Sequence, residues 1–204
     1  MEKVDLKKEL KHLYNPPSKE PVFVLVPVFN YLMVDGQGQP DGPDAVAAIE
    51  ALYPVAYTLK FTVKKEQGID YGVMALEGLW WSDDMTDFTE GNRDNWRWTY
   101  MIMQPSFITP AMVEKAIGEV RRKKKPAASD KVKFEPLAEG KAAQIMHIGP
   151  YSAERPNIVK LHSFISGAGH SFDGMKQKHH EIYISDPRKS APDRLKTIIR
   201  QPFI

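Results

Sequence analysis

The chain runs twice through the same succession of segments, and that repetition limits its fold more than any single motif. In the first pass, an extended entry from Val22 is broken by Pro27 and followed by a strand near Phe29–Val34. Asp35-Gly-Gln-Gly38 turns the chain, and Asp41-Gly-Pro43-Asp44 opens a helix. Apolar residues at Val46, Ile49, Leu52, Tyr53, Ala56, Leu59 and Val63 keep near-helical spacing. Pro54 is expected to kink or divide that helix, and Gln67-Gly68 ends it. Strands are expected at Tyr71–Trp81 and Trp96–Met103, joined by an exposed acidic loop over Ser82–Asn95. The second pass repeats the order. A strand spans Lys141–Ile148, Gly149-Pro150-Tyr151-Ser152 leads into a helix to about Ser166, and strands follow at His180–Ser185 and Leu195–Gln201.

This order predicts an α+β fold of duplicated β-α-β-β units. The antiparallel sheets carry their helices on one face, with a central cleft at the pseudo-two-fold. The repeats cover about 28–105 and 140–204. A helix capped by Thr109 and a basic, Pro-containing linker join them over 106–139. Residues 1–21 form a polar arm or linker, and 22–204 a single domain. In each unit the strand after the helix carries a glutamate. These are Glu77 and Glu181, 104 positions apart, which reads as one residue repeated.

Composition narrows the chemistry. Among 204 residues, 28 basic and 26 acidic side chains leave a net charge of +2. That balance argues against a nucleic-acid platform or a membrane-surface protein. The absence of cysteine excludes disulfides, thiolate metal sites and a cysteine nucleophile. The N-terminus lacks the apolar stretch of a secretory signal, and no apolar run approaches the roughly 20 residues needed to span a bilayer. A cytoplasmic protein is expected. The six histidines show no ligand spacing, so no metal is expected, and no phosphate loop suggests a cofactor.

Glu181 alternates with Tyr183 on one face of its strand, while Ile182 and Ile184 occupy the other. If that first face lines the cleft, Glu181 is a partly buried carboxylate; otherwise it is a solvated glutamate on an edge strand or a member of a structural ion pair. Glu77 shares a face with Ala75, Leu79 and Trp81, unusual company for a solvated carboxylate. Two carboxylates in one cavity would push their pKa values apart and divide acid from base. Trp80, Trp81, Trp98 and Tyr100 are candidate walls for a planar ligand, with Met101 as an adaptable neighbour. Tyr151 either reaches the cleft or staples its helix.

Several stretches together resemble the GyrI-like small-molecule-binding domain family, related to the effector domains of multidrug-sensing activators. They are Asn30–Gly38, Leu76-Glu-Gly-Leu-Trp-Trp81, Trp96-Arg-Trp-Thr99, His147-Ile-Gly-Pro-Tyr151, His180-Glu-Ile-Tyr-Ile-Ser-Asp-Pro-Arg188 and Leu195–Pro202. The resemblance implies a cleft for hydrophobic, often cationic compounds, with Glu181 as its deep glutamate. Some stand-alone members open the cyclopropyl group of cyclopropanoid DNA-alkylating compounds. On that reading Glu77 and Glu181 form the catalytic pair, and Trp80, Trp81 and Tyr183 form walls. The alternative is a module that sequesters a drug or metabolite without chemistry.

Overall fold

The computed structural model describes the backbone of all 204 residues and the side chains of all but Thr89 and Glu90. Strand β1 (Glu2–Val4) and two helical turns, α1 (Leu6–Glu9) and α2 (Lys11–Tyr14), precede strands β2 (Val22–Val26) and β3 (Phe29–Gln37). Helix α3 (Pro43–Gln67) leads to β4 (Ile69–Tyr71), β5 (Leu76–Trp81), the short α4 (Asp87–Glu90) and β6 (Arg97–Gln104). Helix α5 (Pro110–Lys123) and strand β7 (Lys133–Leu137) connect to β8 (Gly140–Ile148), α6 (Arg155–Gly167), β9 (His179–Tyr183) and β10 (Lys196–Pro202).

Eight strands form one antiparallel sheet in the order β2-β8-β10-β9-β5-β6-β3-β7, while β1 and β4 pair separately in parallel. The order is a palindrome. Read outward from the centre, β5-β6-β3 is matched by β9-β10-β8, each with an added edge strand. The duplicated β-α-β-β architecture is therefore present, its pseudo-two-fold running between β5 and β9.

The register corrects the assignment of equivalent residues. Gly78 lies directly opposite Glu181, and the pairing extends evenly to Leu76↔Tyr183 and Trp80↔His179. A two-fold through the Gly78–Glu181 pair relates Glu77 to His180 and Trp80 to Tyr183, partners 103 positions apart. The expected Glu77–Glu181 equivalence is one residue out. A slip of one residue in a strand turns a side chain to the opposite face.

Helix α3 runs as one element through Pro54, so the division expected there as the alternative to a kink does not occur. Its buried stripe is Ala45, Ala48, Ala51, Leu52, Val55, Ala56, Leu59 and Val63. The small residues let the helix lie close on β3 and β6, and that packing outweighs one missing backbone donor. By length and apolarity α3 also meets the requirement for a membrane span, contrary to the sequence expectation. Its apolar stripe is spent on the sheet. Helix α6 packs on β8 and β10 through a smaller core of Ala143, Ile145, Leu161, Ile165 and Ile199. Both helices cover the same face.

Three further segments hold more structure than expected. Residues 133–137, expected as linker, form edge strand β7 beside β3. Pro136 is tolerated because an edge strand has one side without ladder bonds. The loop after Ser82 is exposed along most of its described length, as expected, and it is tied around buried Asp87, which accepts from Ser82 Oγ (2.5 Å), Asn92 Nδ2 (3.2 Å) and Asn95 Nδ2 (3.2 Å). The N-terminal arm folds back over the sheet face opposite the helices, placing Leu13 and Tyr14 in the core.

Candidate functional site

On the helix-covered face of the two central strands, polar and aromatic side chains converge on a candidate groove. Its floor is Leu76, Gly78 and Trp80 from β5, His179, Glu181 and Tyr183 from β9, and Tyr100 from β6, by register. Glu181 Oε1 lies 3.1 Å from His179 Nε2, and Tyr183 donates its hydroxyl to Glu181 Oε2 at 2.7 Å. Trp80 Nε1 donates to the Tyr183 oxygen at 3.3 Å. Gly78 makes this closure possible. A Cβ there would fall 2.9 Å from Trp80 Nε1 and 3.1 Å from the Tyr183 hydroxyl.

Burial opposes the charge on Glu181, but the hydrogen bond and charge of His179, the Tyr183 hydroxyl and the charge of His180 outweigh it. Its pKa lies below the ordinary carboxylate value. Burial and the Glu181 charge drive Tyr183 well above its usual value, so it stays a donor.

The second carboxyl of the groove is Glu154, which no sequence pattern singled out. It is the N-cap residue of α6, followed by Arg155 and Pro156. An acid at a helix start usually reads as a solvated dipole partner. Here it is buried, and burial, followed by the charge of Glu181, pushes its pKa up to about 9. Glu154 is thus protonated at neutral pH while the neighbouring Glu181 is ionised. The buried Thr197 hydroxyl lies beside Glu154 and acts in the opposite sense, favouring the ionised form.

Aromatic rings enclose the pair. Tyr151 meets Tyr183 edge-on at 5.7 Å, and Trp80 meets Tyr100 at 5.6 Å and Trp96 at 6.1 Å. Phe88 stacks on Trp96 at 4.7 Å, so the loop held by Asp87 contributes to the wall. Trp80, Tyr100 and Glu154 are buried, whereas Tyr151 is 41% exposed and lies at the surface.

The structure therefore brings together Glu181, Tyr183, Trp80, Tyr100 and Tyr151 from the sequence candidates. Trp98 shares the face but lies one layer away, buried over Gly36, where a Cβ would sit 2.1 Å from its ring. Glu77, Trp81 and Met101 point to the opposite face, because Glu77 pairs with Ile182 and Met101. The expected Glu77–Glu181 cavity is replaced by two polar sites separated by the sheet. Trp81 is occupied by Lys178, whose ammonium sits 3.4 Å from the ring centre.

The site behind the sheet is a closed ionic network. Glu77 Oε1 accepts from Tyr14 Oη at 2.7 Å, and Glu77 Oε2 lies 2.9 Å from His180 Nε2. His180 Nδ1 is 2.8 Å from Glu139 Oε1. Arg200 donates to Glu139 Oε2 (2.9 Å), to Gln144 Oε1 (3.0 Å) and to the Leu13 carbonyl (3.0 Å). Two carboxylates face both ring nitrogens of His180, so both carry protons. Burial opposes that charge, but Glu139 and Glu77 raise the His180 pKa to about 9. Burial likewise opposes ionisation of Glu139, and His180 and Arg200 bring it down to about 2. Among the described residues, no group of three or more histidine, aspartate or glutamate side chains is arranged to hold a metal ion.

Comparison with known proteins agrees with this architecture. The sequence profile of the GyrI-like small molecule binding domain matches residues 19–202. A crystal structure of an uncharacterized conserved protein from Listeria innocua is 39% identical, with 98% of this chain and 100% of that chain covered and a TM-score of 0.90. A structure described as a hydrolase from Listeria innocua is 40% identical over the whole of both chains, with a TM-score of 0.85. The EcmrR C-terminal domain shares the fold at 12% identity and a TM-score of 0.56, covering 91% of this chain and 97% of that one. No protein of curated function matches.

Proposed function

Given that the chain belongs to the GyrI-like small-molecule-binding domain family, we propose that its groove is an acid–base site that opens the cyclopropyl ring of cyclopropanoid DNA-alkylating compounds. The observation that carries this reading is an unequal carboxyl pair under an aromatic wall: buried Glu154, whose pKa is pushed up, beside Glu181, which is held by His179 and Tyr183. A cyclopropane conjugated to a dienone needs an acid at its carbonyl oxygen and a base for water. Glu154 delivers its proton to the carbonyl oxygen. Water attacks the strained ring carbon, and the electron pair of the breaking carbon–carbon bond restores an aromatic phenol. Glu181 accepts the proton released by the water and returns it to Glu154 across their contact. The product is the substrate plus one water. The rings of Trp80, Tyr100, Tyr151 and Tyr183 hold the planar substrate.

Tyr151, the exposed ring of the set, is the one an entering substrate meets first. The described relatedness to a Listeria innocua hydrolase supports an enzyme. The competing reading is a binder of lipophilic cations, which the Glu181 charge would serve. Glu154 separates the two, because a protonated second carboxyl adds nothing to cation binding. Incubating the purified protein with a cyclopropanoid antibiotic should give a product heavier by one water, by mass spectrometry. That product should be absent with Glu181→Gln and with Glu154→Gln. Tight binding without a mass change would instead establish the binder.

A further inference from the structure

Glu181 and His180 are consecutive in β9 and stand on opposite faces of the sheet. On the groove side Glu181 is held by His179 and Tyr183 and faces Glu154, with Tyr100 and Tyr151 close by. On the back side His180 is faced by Glu77 from β5, Glu139 from the turn before β8 and Arg200 from β10. Tyr14 of the N-terminal arm and Tyr31 of β3 complete its surroundings. The side chains of Glu77 and His180 are 0% exposed and that of Glu139 is 3% exposed.

From this arrangement we infer that His180, clamped as an imidazolium between Glu77 and Glu139, is a positioning residue that holds Glu181 as the base of the groove. The clamp acts in two ways. Both ring nitrogens are anchored to carboxylates on neighbouring elements, which fixes β9 in register at the residue before Glu181. The imidazolium also places a fixed positive charge behind the carboxylate, shielded from water, so its field is little screened. The charges of the network balance, two carboxylates against His180 and Arg200. A lone buried cation would be costly, and this balance is what lets the sheet carry one directly behind the site. The arm contributes the last contacts, the Tyr14 hydroxyl on Glu77 and the Leu13 carbonyl on Arg200. The inference rests on the reading of Glu181 as the base, but its test does not require turnover.

Coupling between two ionisable groups is reciprocal. If the His180 charge favours ionised Glu181, then ionised Glu181 favours charged His180. The test is a pH titration of the histidine ring nitrogens by 15N NMR in the wild type and in Glu181→Gln, a groove-side change that leaves the back network whole. The expected result is a doubly protonated His180 at pH 7 in the wild type and a midpoint displaced to lower pH in Glu181→Gln. A neutral wild-type His180, or the same midpoint in both proteins, would overturn the inference. A second arm uses the double variant Glu77→Gln/His180→Gln, in which the remaining Glu139 and Arg200 balance. Carboxyl 13C NMR should then show Glu181 titrating at higher pH than in the wild type. An unchanged Glu181 midpoint in the folded double variant would reduce His180 to a purely structural role.

Discussion

The two faces of β5 and β9 carry different kinds of polar site, although their residues alternate one by one. On the groove face the carboxyl pair is unbalanced: Glu154 has no cation of its own and holds a proton instead. On the back face every charge has a partner, and the hydrogen bonds of Glu77, Glu139, His180 and Arg200 close on one another. An unsatisfied, pKa-shifted pair costs stability and provides chemistry. A satisfied network stabilises one register and is poorly suited to reaction with a ligand. Substitutions should therefore separate the faces by what they damage.

The largest expected effect is on the groove face. Glu181→Gln and Glu154→Gln should each lower turnover by about 10²- to 10⁴-fold, the usual weight of a general acid or base, while melting as cooperatively as the wild type. Comparable rates in either variant would remove that residue from the chemistry. Next in size, Arg200→Met leaves Glu139 buried with less compensation and should cost about 3–5 kcal/mol in denaturant unfolding, with ligand binding intact in the folded fraction. A cost near zero would mean that the back network is not a stabilising element.

The pH dependence of stability should differ in the same way. Glu154 is raised from the usual 4.5 to about 9, so between those values the folded protein holds a proton that the unfolded chain releases. Its contribution to stability therefore falls as pH rises through that window. Glu154→Gln removes this loss, and its stability margin over the wild type should widen from pH 5 to pH 9. A margin independent of pH would contradict a protonated Glu154. His180, raised from 6.5 to about 9, stabilises fully below 6.5 and loses that contribution as pH rises through 9. Glu139, lowered to about 2, stabilises above 4.5 and loses its contribution as pH falls through 2. The smallest effect is expected at Trp81, where Trp81→Leu loses a Lys178 cation–π contact of about 0.5–1 kcal/mol and leaves turnover intact. A large loss of activity there would return Trp81 to the groove wall.

Much of this organisation was legible in the sequence. The repeated order of segments, the family motifs and the side-chain alternation around Glu181 and Tyr183 lead to the palindromic sheet and to half of the groove. The one-residue offset between the repeats was not legible, because two glutamates at similar places in similar strands invite alignment on each other. Only the Gly78–Glu181 pairing shows that Glu77 corresponds to His180. Glu154 was hidden because an acid before Arg155 and Pro156 looks like an ordinary exposed helix start. The back network was hidden for a different reason. Arg200 meets Glu139 across 61 positions and Leu13 across 187, and no local periodicity encodes such contacts. Edge strand β7 was masked by Pro136, which argues against a central strand but not against an edge one.

The most direct measurement compares Glu154→Gln with Glu77→Gln on one cyclopropanoid substrate, with rates normalised to the folded fraction. Glu154→Gln should fold and be inactive, whereas Glu77→Gln should be destabilised but add water to the substrate wherever it is folded. An active Glu154→Gln beside a folded, inactive Glu77→Gln would contradict this, and would move the chemistry to the other side of the sheet.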